Sequence, residues 1–341
     1  MRRIPLIGSV LAVAALTVLP AGGTQQVTMR DLLRDVAEAS DSDWAAVTRG
    51  EPFAKVLATD AREIAVAGAV RIAASSERLV DRYREVENLK RSAIVLDLGR
   101  FSKPPRPADL ATLTLEDYSL DLRDCRPGEC RVRLGESEIA RFHSEVDWHA
   151  PNWRERSKTV WREVLTGYAA AYDRDGRRGL PTYANKQEPL SVPAELSLLV
   201  GRFSFLNAFG PAFYAYLREF GPGRPDGLDE VMYWSKEDFG VRPVLRLSHQ
   251  AIYRASPRAI IIATNQIYAD HYLDASLMLT MTIEASDVGG KPSFYMVSVS
   301  RARTRSLGGL VRSFVRSTVQ SRSRDALRKI LASTKASLEQ N

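Results

Sequence analysis

The chain has 341 residues, 45% of them hydrophobic, with a formal net charge of +7 and only two cysteines. That is enough apolar material for one large domain or two small ones with a sizeable core. Beyond its N-terminal segment no run is long and apolar enough to cross a bilayer. The basic excess lacks the interleaving of aromatic and basic residues that would point to nucleic acid.

Residues 1–23 open with Arg2 and Arg3, continue with an apolar run from Ile4 to Leu19, and close with Pro20, Ala21, Gly22 and Gly23. This pattern predicts a secretory signal peptide cleaved near Gly23, and hence a periplasmic or secreted protein. An uncleaved anchor is the alternative, but the run is shorter than the roughly 20 residues a spanning helix needs, and Pro5 and Gly8 interrupt it.

Residues 24–50 read as an N-terminal helical arm, with a short polar helix over Thr28–Arg49, ahead of a domain spanning 51–341. Phe53–Ala73 predicts a hairpin turning at Thr59–Arg62. Its second strand carries Ile64, Val66, Val70 and Ile72 on one side and Ala65, Ala67 and Ala69 on the other, and an alanine face leaves room for close approach. Ser75 or Ser76 caps the next helix, in which Leu79, Val80, Tyr83, Val86 and Leu89 recur at spacings of three and four. Ile94–Leu98 is a candidate strand, and the Pro-rich Ser102–Leu110 is a loop.

Further runs at Ala111–Leu122 and Cys130–Leu134 flank the cysteine turn. Cys125 and Cys130 bracket Pro127-Gly128, a spacing that suits a local disulfide in an oxidising compartment. A metal site is the alternative, but no further ligand stands at zinc spacing.

A helical insertion is expected at about 136–227. Glu136–Gly179 carries an aromatic stripe of Trp153, Trp161, Tyr168 and Tyr172, Ser191–Asn207 opens another helix, and Pro211–Phe220 adds a short one. The stripe reads as a packing face before it reads as a ligand box.

Four strand-like runs follow, Pro243–Arg254, Ala259–Tyr268, Ala275–Glu284 and Phe294–Arg301. Their short links favour an antiparallel meander. From Leu310 the apolar residues recur at helical spacing, and one helix of about 30 residues is long enough to cross the whole sheet. The fold class is therefore α+β, a curved antiparallel sheet packed on a long C-terminal helix.

No nucleophile elbow, metalloprotease, phosphate-loop or dinucleotide motif occurs, so no catalytic residue, metal or cofactor is assigned. His143, Asp147 and His149 lie close in sequence, but His149 falls off the helix face shared by the other two. More suggestive are polar residues inside the late apolar strands, which need partners, water or a cavity. These residues and neighbouring aromatics give a candidate ligand-binding set: Tyr233, Trp234, His249, Tyr253, Gln266, Tyr268, His271, Arg301 and Arg303. A structural network is the plain alternative.

The order of these elements, a hairpin at Phe53–Ile72, a capped helix from Ser75, strands from Val231 to Arg301 and a long final helix, resembles the START-like and polyketide-cyclase helix-grip superfamily. The resemblance covers about two thirds of the chain beyond the leader and implies an apolar cavity for a sterol, lipid, isoprenoid or polyketide-like molecule. It carries over no catalytic residue, and the helical insertion departs from the compact pattern. The segments Tyr233–Gly240 and Asn265–Leu277 are similar to those of uncharacterised exported bacterial proteins.

The expected function is carriage of an apolar or amphipathic small molecule between sheet and C-terminal helix. One alternative is an enzyme with His249 or His271 as general base. The other is an envelope protein in peripheral contact with an anionic membrane through the basic residues of the last helix, Arg312 and Arg316 among them.

Overall fold

The polar N-terminal stretch forms two helices rather than one, α1 (Met29–Ala37) and α2 (Asp41–Thr48). Glu38 ends α1 in the left-handed region at φ 50°, and Ser40 opens α2 with a capping box to Asp43. The hairpin follows as β1 (Phe53–Val56) and β2 (Glu63–Ile72), then α3 (Ser76–Arg84) capped by Ser75, the short α4 (Val86–Leu89) and β3 (Val95–Arg100). Of the runs around the cysteine turn, Ala111–Leu122 holds the short α5 (Ser119–Arg123) and Cys130–Leu134 no regular element. Cys125 and Cys130 are joined in a disulfide.

The middle block supplies α6 (Glu136–Glu145) and α7 (Trp153–Asp175), separated by a break that contains Pro151. A two-stranded ribbon of β4 (Thr182–Tyr183) and β5 (Leu190–Ser191) leads to α8 (Val192–Gly201), α9 (Leu206–Phe209) and α10 (Pro211–Glu219). The late strands are β6 (Asp229–Glu237), β7 (Val244–Ser256), β8 (Ala259–Ala269), β9 (Ala275–Val288) and β10 (Lys291–Arg303), and α11 (Arg312–Glu339) closes the chain.

This computed structural model describes residues 28–89, 94–115, 119–186, 188–221, 223–238, 242–305 and 312–340; the N-terminal leader read from residues 1–23 lies outside them. Among the described residues no helix is long and apolar enough to cross a membrane.

The main sheet has eight antiparallel strands in the order β1-β2-β10-β9-β8-β7-β6-β3. The expected meander forms its centre, with the early hairpin added beside β10 and β3 beside β6. Period two then divides every strand between two faces. One face carries Ala65, Ala67, Ala69, Val297, Val299 and Leu279, and shares its core with α1, α2 and the helices of the middle block. The alanines admit the N-terminal helices: Leu32 and Leu33 of α1 and Val47 of α2 are fully buried in that core. The arm therefore packs into the body of the fold.

The opposite face carries Val66, Val70, Ile72, Phe294 and Met296, against which α3 and α11 pack. Here α11 lies along the edge hairpin β1–β2, whereas Tyr83 of α3 reaches the central strands β7 and β9. There Tyr83 Oη meets Thr280 Oγ1 at 3.1 Å and its carbonyl accepts from Gln250 Nε2 at 2.7 Å. The missing side chain of Gly68 makes the groove for α11. A Cβ on Gly68 would stand 2.5 Å from Phe53 O, 2.8 Å from Leu331 Cδ1 and 3.2 Å from Leu327 Cδ2. Side chains thus close the gap between sheet and helix at this crossing.

Replacing Leu331, which is fully buried, by alanine is expected to cost about 2–5 kcal/mol in urea denaturation. Gly68→Ala should destabilise too, because its nearest obstacle is backbone, whereas Ile330→Ala on the exposed side of α11 should change stability by less than about 0.5 kcal/mol. Equal effects at Leu331 and Ile330 would refute this packing.

Candidate functional site

Polar side chains on the side of the sheet that meets the middle block gather at two places. At the first, His249 of β7 uses both ring nitrogens: Nδ1 lies 2.9 Å from Tyr172 Oη and Nε2 3.0 Å from Glu230 Oε1. Tyr216 donates to the same carboxylate, Arg224 Nε approaches its other oxygen at 3.1 Å, and Asn265 Nδ2 donates to Tyr172 Oη at 3.3 Å. Burial pushes the Glu230 carboxyl up, but hydrogen bonds from His249 and Tyr216 and the nearby positive charge outweigh it and bring it down to about 2. Burial also raises the Tyr172 and Tyr216 phenols. The adjoining space is about 10 Å³, room for about one water. With both nitrogens engaged and no room for a substrate, His249 serves as a brace between α7, α10 and the sheet.

The second place is the β8–β9 connection, Asp270–Asp274, which forms part of the wall of a cavity of about 330 Å³. Leu273 N donates to His271 O at 2.6 Å, closing a three-residue turn around Tyr272, which sits at φ 56°, a left-handed conformation that is strained for a tyrosine. Several contacts hold the turn in place. Thr304 Oγ1 donates to Tyr272 O at 2.6 Å, Asp274 N to Arg303 O at 2.8 Å, and Arg133 reaches both Leu273 O and, at 2.7 Å, Asp274 Oδ1. Asp270 Oδ1 accepts from Leu245 N at 3.0 Å and lies 2.9 Å from His271 Nδ1. His271 is only 9% exposed, and neither ring nitrogen makes a well-formed hydrogen bond.

Behind this cavity the end of the sheet carries a dense ion network. Arg303 contacts Glu195, Asp60 at 3.0 Å and Glu63 at 3.8 Å; Arg301 meets Glu63 at 2.5 Å; Arg62 bridges Glu195 at 2.5 Å and Asp274 at 3.4 Å. Burial raises the Asp274 carboxyl against the opposing pull of Arg133, with Glu195 adding to the rise.

A third, larger cavity of about 650 Å³ opens between α6 and α7. Its walls are Val164, Gly167 and Ala171 of α7, the rings of Tyr168 and Tyr183, and Pro181 and Pro189, together with the charged side chains of Glu136, Glu138, Arg141 and Glu163. A Cβ placed on Gly167 would meet nothing within 4 Å, so the helix surface there faces open space. Tyr183 and Ala184 line both this cavity and the smaller polar one.

The residues singled out from the sequence are not brought into one pocket. His271 lines the polar cavity, and Tyr268 supports it, donating to Arg133 O at 2.9 Å while stacking on Tyr168. Arg301 and Arg303 belong to the ion network and His249 to the buried brace. Tyr253 stacks on Phe213 at 5.2 Å, and Trp234 Nε1 donates to Asp109 O at 2.8 Å. Tyr233 lies on the opposite face of β6 from Trp234, and Gln266, also on the far face, steadies the β8–β9 turn through Leu273 O at 3.3 Å. Arg133, Asp270, Tyr183 and Arg305 line the polar cavity without having been selected. For Asp270 the signal was its place beside His271; for Arg133, the alternation of Arg131 and Arg133 with Val132 and Leu134. His143 is used to bind Cys125 O at 2.7 Å. Among the described residues no cluster of His, Cys, Asp and Glu is placed to hold a metal ion.

Compared with known proteins, the chain matches no family model and no curated protein.

Since Glu230 titrates lower in the folded than in the unfolded chain, its contribution is present above the usual 4.5 and lost as pH falls towards about 2. That contribution is on the order of 3 kcal/mol. Urea denaturation between pH 6 and 2 should show the loss in that window, and Glu230→Gln should remove this part of the slope; an unchanged slope would contradict the assignment.

Proposed function

We propose that the protein is an exported binding protein that holds an amphipathic or apolar small molecule in the cavity between α6 and α7. The observation that carries this reading is the cavity itself: about 650 Å³, lined by tyrosine rings, prolines and small residues on one side and by Glu136, Glu138, Arg141 and Glu163 on the other, a mixed wall that suits an amphipathic molecule. Sites of this size and lining suit a small ligand, whose buried surface would contribute about 25 cal/mol per Å². Export is supported by the Cys125–Cys130 disulfide.

Kinship with the START-like helix-grip superfamily rests on element order alone. A helix-grip ligand would lie against α11, yet at Gly68 that space is filled by Leu327 and Leu331, so the carrier reading moves to the other side of the sheet. An enzymatic reading narrows to His271, whose pairing with Asp270 is the one observation that favours it. Membrane contact through α11 would rely on its outward residues Arg322, Arg324, Arg328 and Lys329, because Arg316 is used to donate to Thr59 and Glu63 O.

Native mass spectrometry of protein purified from its own host should show a copurifying lipid-like mass. With the uncharged fluorophore N-phenyl-1-naphthylamine, Gly167→Leu should weaken binding at least tenfold without lowering thermal stability, since leucine fills open space and favours the helix. Unaltered probe binding in that variant would exclude this cavity.

A further inference from the structure

We propose that the polar chamber beside the β8–β9 turn is a binding site for an oxyanion, a phosphate or carboxylate group, held by Arg305 and His271. Four independent observations converge on it. His271 is nine-tenths buried, lines a cavity of about 330 Å³, and leaves Nε2 without a partner. A buried imidazole nitrogen left unsatisfied costs free energy that a ligand oxygen would recover.

Arg305 is the least satisfied guanidinium at this end of the sheet. Its Nε is buried without a partner, and its Nη2 has only long contacts, 3.5 Å to the exposed Glu188 and 3.8 Å to Glu195. The surrounding charge is also unbalanced among the described residues. Three guanidiniums (Arg131, Arg133 and Arg305) and two carboxylates (Asp270 and Asp274) line the chamber. A cation would meet repulsion here, whereas an anion completes the pairing. The carboxylate next to the histidine, Asp270, accepts from Leu245 N through Oδ1, which also lies 2.9 Å from His271 Nδ1, while its Oδ2 has no hydrogen-bond partner.

Finally, the strained turn at Tyr272 is fastened by Thr304 and Arg133, so His271 is presented by a fixed support and needs little reordering on binding. The Cys125–Cys130 disulfide ends in the same wall, since Gly128 and Cys130 line the chamber.

The proposal does not depend on the larger cavity. Because Tyr183 and Ala184 line both, the anion is either free in solution or the head group of an amphiphile lying in the neighbouring space. Isothermal titration calorimetry at low salt with inorganic phosphate and with dodecyl phosphate separates the two. Arg305→Gln should weaken binding at least tenfold. Glu188→Gln, which removes a competing carboxylate from an exposed position, should tighten it several-fold, a gain that a merely structural Arg305 would not produce. The ¹⁵N resonances of His271 should shift on titration and report the contact directly.

Saturable phosphate binding with these responses supports a site for a free anion. The same responses with dodecyl phosphate alone support a head-group site. Failure of both probes to bind, or binding indifferent to Arg305→Gln and Glu188→Gln, overturns the proposal; should Arg305→Gln fail to fold, the Glu188→Gln titration decides alone.

Discussion

The pairing of β2 with β10 is the contact on which the remainder of the molecule depends. Its register runs without interruption from Ile72 opposite Phe294 to Glu63 opposite Arg303. That register joins the early hairpin to the late meander and decides which side chains of β2 point to each layer. Small alanines meet the N-terminal helices, and Val66, Gly68 and Val70 meet α11. A slip by one residue would turn every one of these side chains over, placing alanines under α11 and branched residues against α1, so both layers select the same alignment.

The same register assembles the ion network, since it sets Glu63 beside Arg303 and Ala65 beside Arg301. Buried ion pairs recover their desolvation cost only when nearly every donor and acceptor is matched, so they add little net stability, yet removing one partner is costly. Here Glu195 brings α8 to the sheet through Arg62 and Arg303, and Asp274 ties the β8–β9 turn to Arg62 and Arg133. Precise placement of the insertion is thus achieved by charge at the end of the sheet and by aromatic stacking nearer its centre, where Tyr268 meets Tyr168, Trp161 and Tyr183.

The strands were readable because period two is a local property, and Leu277, Leu279 and Met281 announce a buried face without reference to any partner. The position of α11 was not, because it depends on Gly68, a residue more than two hundred positions away whose value lies in the side chain it lacks. The candidate residues were chosen for being polar within apolar strands, a criterion that finds buried networks and cavities alike. It therefore returned His249, which is fully engaged, together with His271, which is not. It could not find Tyr183 or Arg305, whose roles arise only when the ribbon of the middle block folds against the end of β8. The α6–α7 cavity is likewise a product of how two helices separate, and its sole local trace was the glycine at position 167.

Tyr183 is the partition between the two cavities, a fully buried ring whose hydroxyl is unpartnered and whose ionisation burial opposes. An occupant that displaces this ring from one side changes the volume available on the other. If both compartments take an occupant, thermodynamic reciprocity would make each influence the other's occupancy by the same factor. One neutral phenol would in that way act as a piston between the two compartments.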